Sequence, residues 1–233
     1  MGSDRTRFVS FSGIDGAGKS TQIDALRNRL EAAGLRVRIL TFWDDVACFK
    51  GMRESAGHTL FRGDKGVGTP EMPINRRDKN VRSRTMTMVR WWLYFADAVS
   101  LRLAVRRALR SGDFLICDRY AWDELANLTL HWWIARMYVR LIARVVPRPD
   151  VSFVLDADPI QARSRKPEYP LDFLCRCRES YLTLSELVGR ITVIAPGPVG
   201  EVEAAVLSHV LLDRKQPGRA QGQVQKAGGG AAA

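Results

Sequence analysis

Residues Gly13-Ile14-Asp15-Gly16-Ala17-Gly18-Lys19-Ser20 have the spacing G-x-x-x-x-G-K-S. Glycines at this spacing let the backbone curl so that successive N–H groups point inward at a phosphate. Lys19 can then reach the β- and γ-phosphates of a nucleoside triphosphate, and the Ser20 hydroxyl can ligate Mg²⁺. The nucleotide-binding set expected from this loop is Gly13, Asp15, Gly16, Ala17, Gly18, Lys19, Ser20 and Thr21. A second constellation closes the apolar run 114–117, which ends in Asp118-Arg119-Tyr120. An aspartate at a strand end can hold the water shell of Mg²⁺, and the adjacent arginine can clamp a second phosphate.

These residues need elements to position them. "RFVSFSG" (7–13) reads as a buried strand, and a helix follows from Lys19 to about Ala33, closed by Gly34 at its C′ position. The helix directs its N-terminal dipole at the same phosphate. Further strands are expected at 35–42, 113–120, 150–158 and 190–195. Helices are expected over 85–112, 123–146, 173–189 and 200–213. Strands alternating with helices predict an α/β fold with a parallel sheet covered on both faces. Residues 43–85 have many glycines and basic residues without period, and read as a long acceptor-side loop or insert. The predicted domain spans 1–213. The tail 214–233, rich in Gly, Ala and Gln, reads as disordered.

The 233 residues can bury a real core, and 46 % apolar with 26 % charged residues is ordinary for a globular protein. No apolar run reaches the ~18–20 residues of a membrane-spanning helix. "MGSDRTRFVSFSG" carries no signal-peptide core, which predicts a cytoplasmic protein. Cys48, Cys117, Cys175 and Cys177 form no CxxC pair and read as reduced, packed thiols. The net charge of +11 includes four basic residues in the tail, which holds no acidic one. The remainder suits polyanionic phosphate substrates and needs no specific nucleic acid. A GTPase would require an N-K-x-D base reader, which the sequence lacks.

Four stretches resemble the thymidylate kinase family of P-loop nucleoside monophosphate kinases. They are "FSGIDGAGKSTQ", "ICDRY", "LDADPIQARSRK", and "FLCRCRESYLTL" followed by "ITVIA". The resemblance implies a three-layer fold with a five-stranded parallel sheet, and Mg²⁺-dependent phosphoryl transfer from ATP to a nucleoside monophosphate in nucleotide biosynthesis. It implies that Asp15 contacts the acceptor's sugar and that Arg119 binds its phosphate. A lid over about 159–171 would bring Arg163 and Arg165 across the γ-phosphoryl. Lys19, Arg119, Arg163 and Arg165 are the catalytic set so implied. Asp15, Tyr94, Phe95, Arg119 and Tyr120 are the acceptor set, and Ser20 and Asp118 the metal ligands. A solvated helix face is the competing reading of Arg163 and Arg165, and core packing that of Tyr94 and Phe95.

The chain departs from the family on the acceptor side. "TFWDDVACFKG" stands where the family has Arg-Glu-Pro-Gly-Gly, Ala98 stands where an arginine belongs, and "AWDELANL" replaces the glutamine-bearing run. Gly16 occupies a position that is arginine in some members, so compensating charge is expected from Arg163, Arg165 or Lys166. The missing acceptor arginines leave two readings of Arg76, Arg77, Lys79, Arg82, Arg84 and Arg90: a replacement phosphate site, or a solvated surface. A kinase for a nucleoside or other small phosphorylated acceptor stays open. So do a transfer-inactive ATP-binding regulatory protein and, on charge alone, a nucleic-acid-associated ATPase. Within 130–146, Leu130, Trp133, Ile134, Met137, Tyr138, Leu141 and Ile142 make one apolar stripe, with Arg136, Arg140 and Arg144 opposite. That stripe predicts core packing or a homodimer interface ahead of a membrane surface.

Overall fold

The computed structural model describes residues 7–46, 84–110 and 113–215; the side chains of 84–87 and 212–215 lie outside that description. Cys48, Arg76, Arg77, Lys79, Arg82, most of the expected 43–85 insert and most of the 214–233 tail fall outside the described residues.

Five strands form one sheet: β1 Arg7–Ser12, β2 Val37–Thr41, β3 Phe114–Asp118, β4 Val151–Leu155 and β5 Ile191–Ile194. Their order is β2-β3-β1-β4-β5, and every pairing is parallel. The predicted α/β fold with a five-stranded parallel sheet is therefore the observed one. Each strand is slightly shorter than expected, β1 at its end only and the other four at both ends. Between the strands run α1 Lys19–Ala32, α2 Arg84–Ala108, α3 Ala121–Leu125, α4 Trp133–Val145, α5 Pro159–Arg165, α6 Leu171–Val188 and α7 Val199–Lys215.

The central strands bury both faces, as parallel strands beneath crossover helices must. Val9, Phe11, Ile116 and Phe153 pack with Ile23, Leu26, Val206 and Val210 on one side. Phe8, Leu115, Cys117 and Val154 pack on the other with Leu101, Val105, Tyr120 and Leu184. Each fully buried side chain of this size contributes about 1.5–3 kcal/mol. The buried side chains of β1, β3 and β4 on the two faces thus anchor the strand ends where the site forms.

Three boundaries differ from expectation. Phe42–Val46 is a single π-helical turn rather than loop, with the Asp45 carboxylate accepting from the Thr41 N–H at 2.8 Å. The helix expected over 123–146 is two helices, α3 and α4. Asn127 breaks it: its side-chain amide donates to the Asp123 carbonyl at 2.8 Å, occupying the acceptor a continuing helix would use. The Asn127 N–H bonds the Glu124 carbonyl instead. At the far end, α7 continues to Lys215, two residues beyond the expected boundary.

The stripe over 130–146 divides between core and surface. Ala135, Val139 and Ile142 face the core, while Trp133, Ile134, Met137 and Leu141 are exposed. Leu130 and Ile142 of the stripe are buried and Tyr138 packs against the core, while its other bulky side chains face outward.

Candidate active site

β1, β3 and β4 all end at one edge of the sheet, so the loops that follow them meet there. After β1 the chain enters the glycine loop with Gly13, Gly16 and Gly18 at φ of 140°, 84° and 85°. Close approach explains two of these glycines. A Cβ on Gly13 would stand 2.6 Å from the Leu155 carbonyl oxygen, and one on Gly16 would stand 2.2 Å from that of Ala162. The loop is thus wedged between the end of β4 and α5.

Lys19 folds back over the loop, donating to the carbonyls of Gly13 (2.8 Å) and Ile14 (2.9 Å). It is buried, and burial together with the Arg119 charge pulls its ammonium down to about 8. An amine so destabilised is ready to take an anionic partner. Ser20 and Thr21 are exposed on the first turn of α1.

Arg119 follows β3 with φ +67°, a conformation that costs a non-glycine residue roughly 1–2 kcal/mol. Its N–H still bonds the Phe11 carbonyl at 3.0 Å, which fixes the turn against β1. The turn aims the guanidinium at the glycine loop, where Nη2 donates to Asp15, while Nη1 donates to Asp123 at 3.2 Å. Burial alone would lower Arg119; the Asp123 and Asp15 carboxylates more than offset it and hold the guanidinium above its ordinary value. Burial would raise Asp15, but Arg119 and Lys19 carry it below the usual carboxylate range. Asp118 goes the other way, raised by burial against the pull of Arg119 and Lys19. Its carboxylate accepts no hydrogen bond among the described residues.

α5 supplies the third wall. Asp158 caps it, accepting from the N–H groups of Ile160 (3.3 Å) and Gln161 (3.4 Å), with Pro159 at its first position. Arg165 lies on the Gly16 carbonyl at 3.3 Å, whereas the Nε of Arg163 is buried without a hydrogen-bond partner among the described residues. The two arginines, two residues apart, thus occupy different sides of the helix, and Arg165 alone meets the loop. Between α5 and the chain after β5 opens a cavity of about 510 Å³, lined by Ala17, Leu155, Asp158, Arg165, Pro196 and Pro198.

One expected acceptor residue, Tyr120, lies in the core. Tyr120 is fully buried, its ring edge-on to Phe8 and its hydroxyl donating to the Pro147 carbonyl, so it is a core residue. Phe95 lies on an exposed stripe of α2 with Trp92 and Val99, while neighbouring Tyr94 packs inward. Ala98 is 1 % exposed, and the space leaves no room for the arginine expected there. Sequence reasoning missed Ser12, Asp123 and Tyr181, which complete the network: Ser12 Oγ donates to Asp123 at 2.6 Å and the Tyr181 hydroxyl at 2.8 Å. The one available signal was the i,i+4 spacing of Arg119 and Asp123. It also missed the bidentate pair of Arg178 with Asp156 (2.6 and 2.7 Å), which ties α6 to the end of β4.

A parallel sheet of this order, with a phosphate loop after β1, an Asp-Arg pair after β3 and an arginine-bearing helix after β4, defines a P-loop nucleotide kinase. Known proteins narrow this further. The thymidylate kinase of Methylococcus capsulatus is 31 % identical over 219 residues, covering 88 % of this chain and 94 % of its own. The probable thymidylate kinase of Thermococcus gammatolerans is 30 % identical over 201 residues, covering 80 % and 86 %. The thymidylate kinase of Bifidobacterium longum is 29 % identical over 189 residues, covering 76 % and 83 %. No family model matches the chain. The chain belongs to the thymidylate kinase family.

Proposed function

We propose that this protein transfers the γ-phosphoryl group of ATP to a nucleoside monophosphate, with thymidine monophosphate as the first acceptor to test. The observation that carries the reading is the meeting of Lys19, Asp15 and Arg119 at one sheet edge, donor loop and acceptor arginine in direct contact. Phosphoryl transfer asks for in-line positioning and distributed positive charge more than for covalent help. Lys19 serves the β- and γ-phosphates, Arg165 the side of the loop where Gly16 carries no charge of its own, and Arg119 the acceptor phosphate. Asp15 orients the acceptor sugar. Arg163, with its Nε unpartnered, is the group that closure of the lid over 159–171 would recruit. The cavity beside α5 takes the base and ribose of ATP.

Ser20 and Asp118 fit Mg²⁺, which takes few protein ligands and completes its shell with water and phosphate oxygens. When bound, the ion would neutralise charge on the transferring phosphates. Asp118, accepting no hydrogen bond among the described residues, is available to orient the water shell of the ion.

The protein is also read as a homodimer. Met88, Trp92, Phe95, Val99 and Leu103 make an exposed apolar stripe on α2, next to the seam where Trp91 stacks on Tyr138 of α4 at 4.7 Å. Ile134, Met137 and Leu141 border the same seam from α4, giving one apolar face two helices wide. Dimers by sedimentation that dissociate on Trp92→Glu would support the second copy as its partner; a monomeric wild type would refute it.

A coupled assay with ATP and a panel of nucleosides and monophosphates tests the main reading. Turnover of a monophosphate, lost in Lys19→Ala, supports it. ATP binding without transfer to any acceptor overturns it.

A further inference from the structure

Asp123 belongs to neither the phosphate loop nor the Asp-Arg-Tyr run, yet it sits in the middle of the acceptor side. It is 5 % exposed, and its carboxylate accepts four hydrogen bonds: Ser12 Oγ at 2.6 Å, Tyr181 Oη at 2.8 Å, the Tyr120 N–H at 3.0 Å and Arg119 Nη1 at 3.2 Å. Three of the four donors are neutral, and they hold the carboxylate in place whatever Arg119 does. Arg119 meets Asp15 with its other terminal nitrogen, and so lies between two carboxylates. With Asp118 beside them, Lys19 and Arg119 face three acids, and Lys166 adds its charge on the Asp15 side. Ala98, buried on α2, adds no charge. A dianionic phosphate approaching Arg119 therefore meets a guanidinium whose charge is already engaged.

We propose that Asp123 determines acceptor specificity: its fixed carboxylate competes with the acceptor's phosphate for Arg119 and so reduces what that phosphate contributes to binding. A like charge held beside a binding group discriminates by repulsion, and in a partly desolvated site that repulsion is weakly screened. The site would then rely on the sugar and base of the acceptor more than on its phosphate. The inference rests on the reading of Arg119 as the acceptor-phosphate group.

The opposite role for the same contacts is simple orientation of Arg119, and the two differ in sign. Calorimetric affinities of the ADP-loaded protein for thymidine monophosphate and for thymidine separate them. In wild type the monophosphate should bind less than about tenfold tighter than the nucleoside; a preference of several hundredfold overturns the proposal. Asp123→Asn keeps the shape and an acceptor for Tyr181 while removing the charge. It should raise monophosphate affinity roughly tenfold and leave thymidine unchanged. A loss of monophosphate affinity, or an equal change for both ligands, overturns the proposal. Tyr181→Phe, which keeps the carboxylate, should leave the ratio as in wild type. Should no nucleoside or monophosphate bind at all, the reading of the acceptor fails, and inorganic phosphate becomes the probe. Tighter phosphate binding by Asp123→Asn than by wild type still supports the competition, and equal binding ends it.

Discussion

Gly16 lies directly against Ala162: a Cβ at Gly16 would stand 2.2 Å from the Ala162 carbonyl oxygen, at a φ of 84°. Two separate pieces of the site, the phosphate loop and the arginine-bearing α5, thus touch backbone to backbone. The contact leaves no space for a side chain at Gly16. With α5 this close, Arg165 lies on the Gly16 carbonyl and brings the charge from the other side.

The first prediction uses that contact. Gly16→Ala must displace either the loop or α5, and it adds strain of roughly 1–2 kcal/mol from the left-handed backbone. Turnover at subsaturating ATP should fall at least tenfold, with a lower melting temperature. Gly34→Ala is the matched control, because Gly34 has a similar φ of 80° but nothing within 4 Å of its Cβ position. It should show the strain in its melting temperature and keep its activity. Equal activity of the two variants would remove the close approach as the cause.

Arg119→Ala removes the one cation between Asp15 and Asp123. Leaving two partly buried carboxylates without it should destabilise the fold by about 3–5 kcal/mol, read in urea unfolding. At temperatures where the variant is folded, the acceptor KM should rise while the KM for ATP changes little. Arg119→Lys restores a charge but cannot reach both carboxylates with separate nitrogens. It should recover part of the stability and less of the acceptor binding. Wild-type acceptor kinetics in either variant would show that Arg119 does not serve the acceptor.

The pH dependence of nucleotide binding follows from Lys19. Its folded-state value is depressed to about 8 from an ordinary 10.5, by burial first and then by Arg119. The sign for stability is that the neutral amine suits the folded state better. This contribution is full above 10.5 and lost as pH falls through 8, so the empty protein carries a strained ammonium at neutral pH. A polyphosphate reverses this by stabilising the charged form. Binding of metal-free ADP near pH 9 should therefore take up a proton, seen as a binding enthalpy that varies with the ionisation heat of the buffer. The uptake should vanish at pH 6.5 and in Lys19→Met. Buffer-independent enthalpies at pH 9 would contradict the assignment.

The donor half of this site was legible because its chemistry is local. A phosphate loop is eight consecutive residues between a strand and a helix, and Lys19 and Ser20 take their places from that spacing alone. The sheet was legible for the same reason, since β1, β3 and β4 are short continuous apolar runs. The acceptor half is assembled across the chain. Asp123 acquires its role only because Asn127 stops α3 and because Ser12 and Tyr181 come from β1 and α6. Tyr120 was misjudged on adjacency: the φ of Arg119 turns the two neighbours to opposite sides, one into the site and one into the core. The α4 stripe shows the same limit. Apolar periodicity marks a face, but small residues such as Ala135 and Val139 can win the core side when helices pack closely.

The cysteines give the last prediction, independent of any substrate. Cys117 lies in β3 with no exposure, and burial next to Asp118 pushes its thiol far above the ordinary range. Cys175 and Cys177 on α6 are partly exposed. Because the thiolate is the reactive form, Cys117 should resist alkylation in the native protein while Cys175 and Cys177 react. Peptide mapping after iodoacetamide at pH 8 reads this directly. Full labelling of Cys117 should appear only in denaturant, and its urea dependence should follow the global unfolding curve, because β3 pairs with both β1 and β2 at the centre of the sheet. Labelling of Cys117 in native conditions at the rate of Cys175 would mean that the central sheet opens locally, and would place the Asp118-Arg119 turn on a mobile strand end.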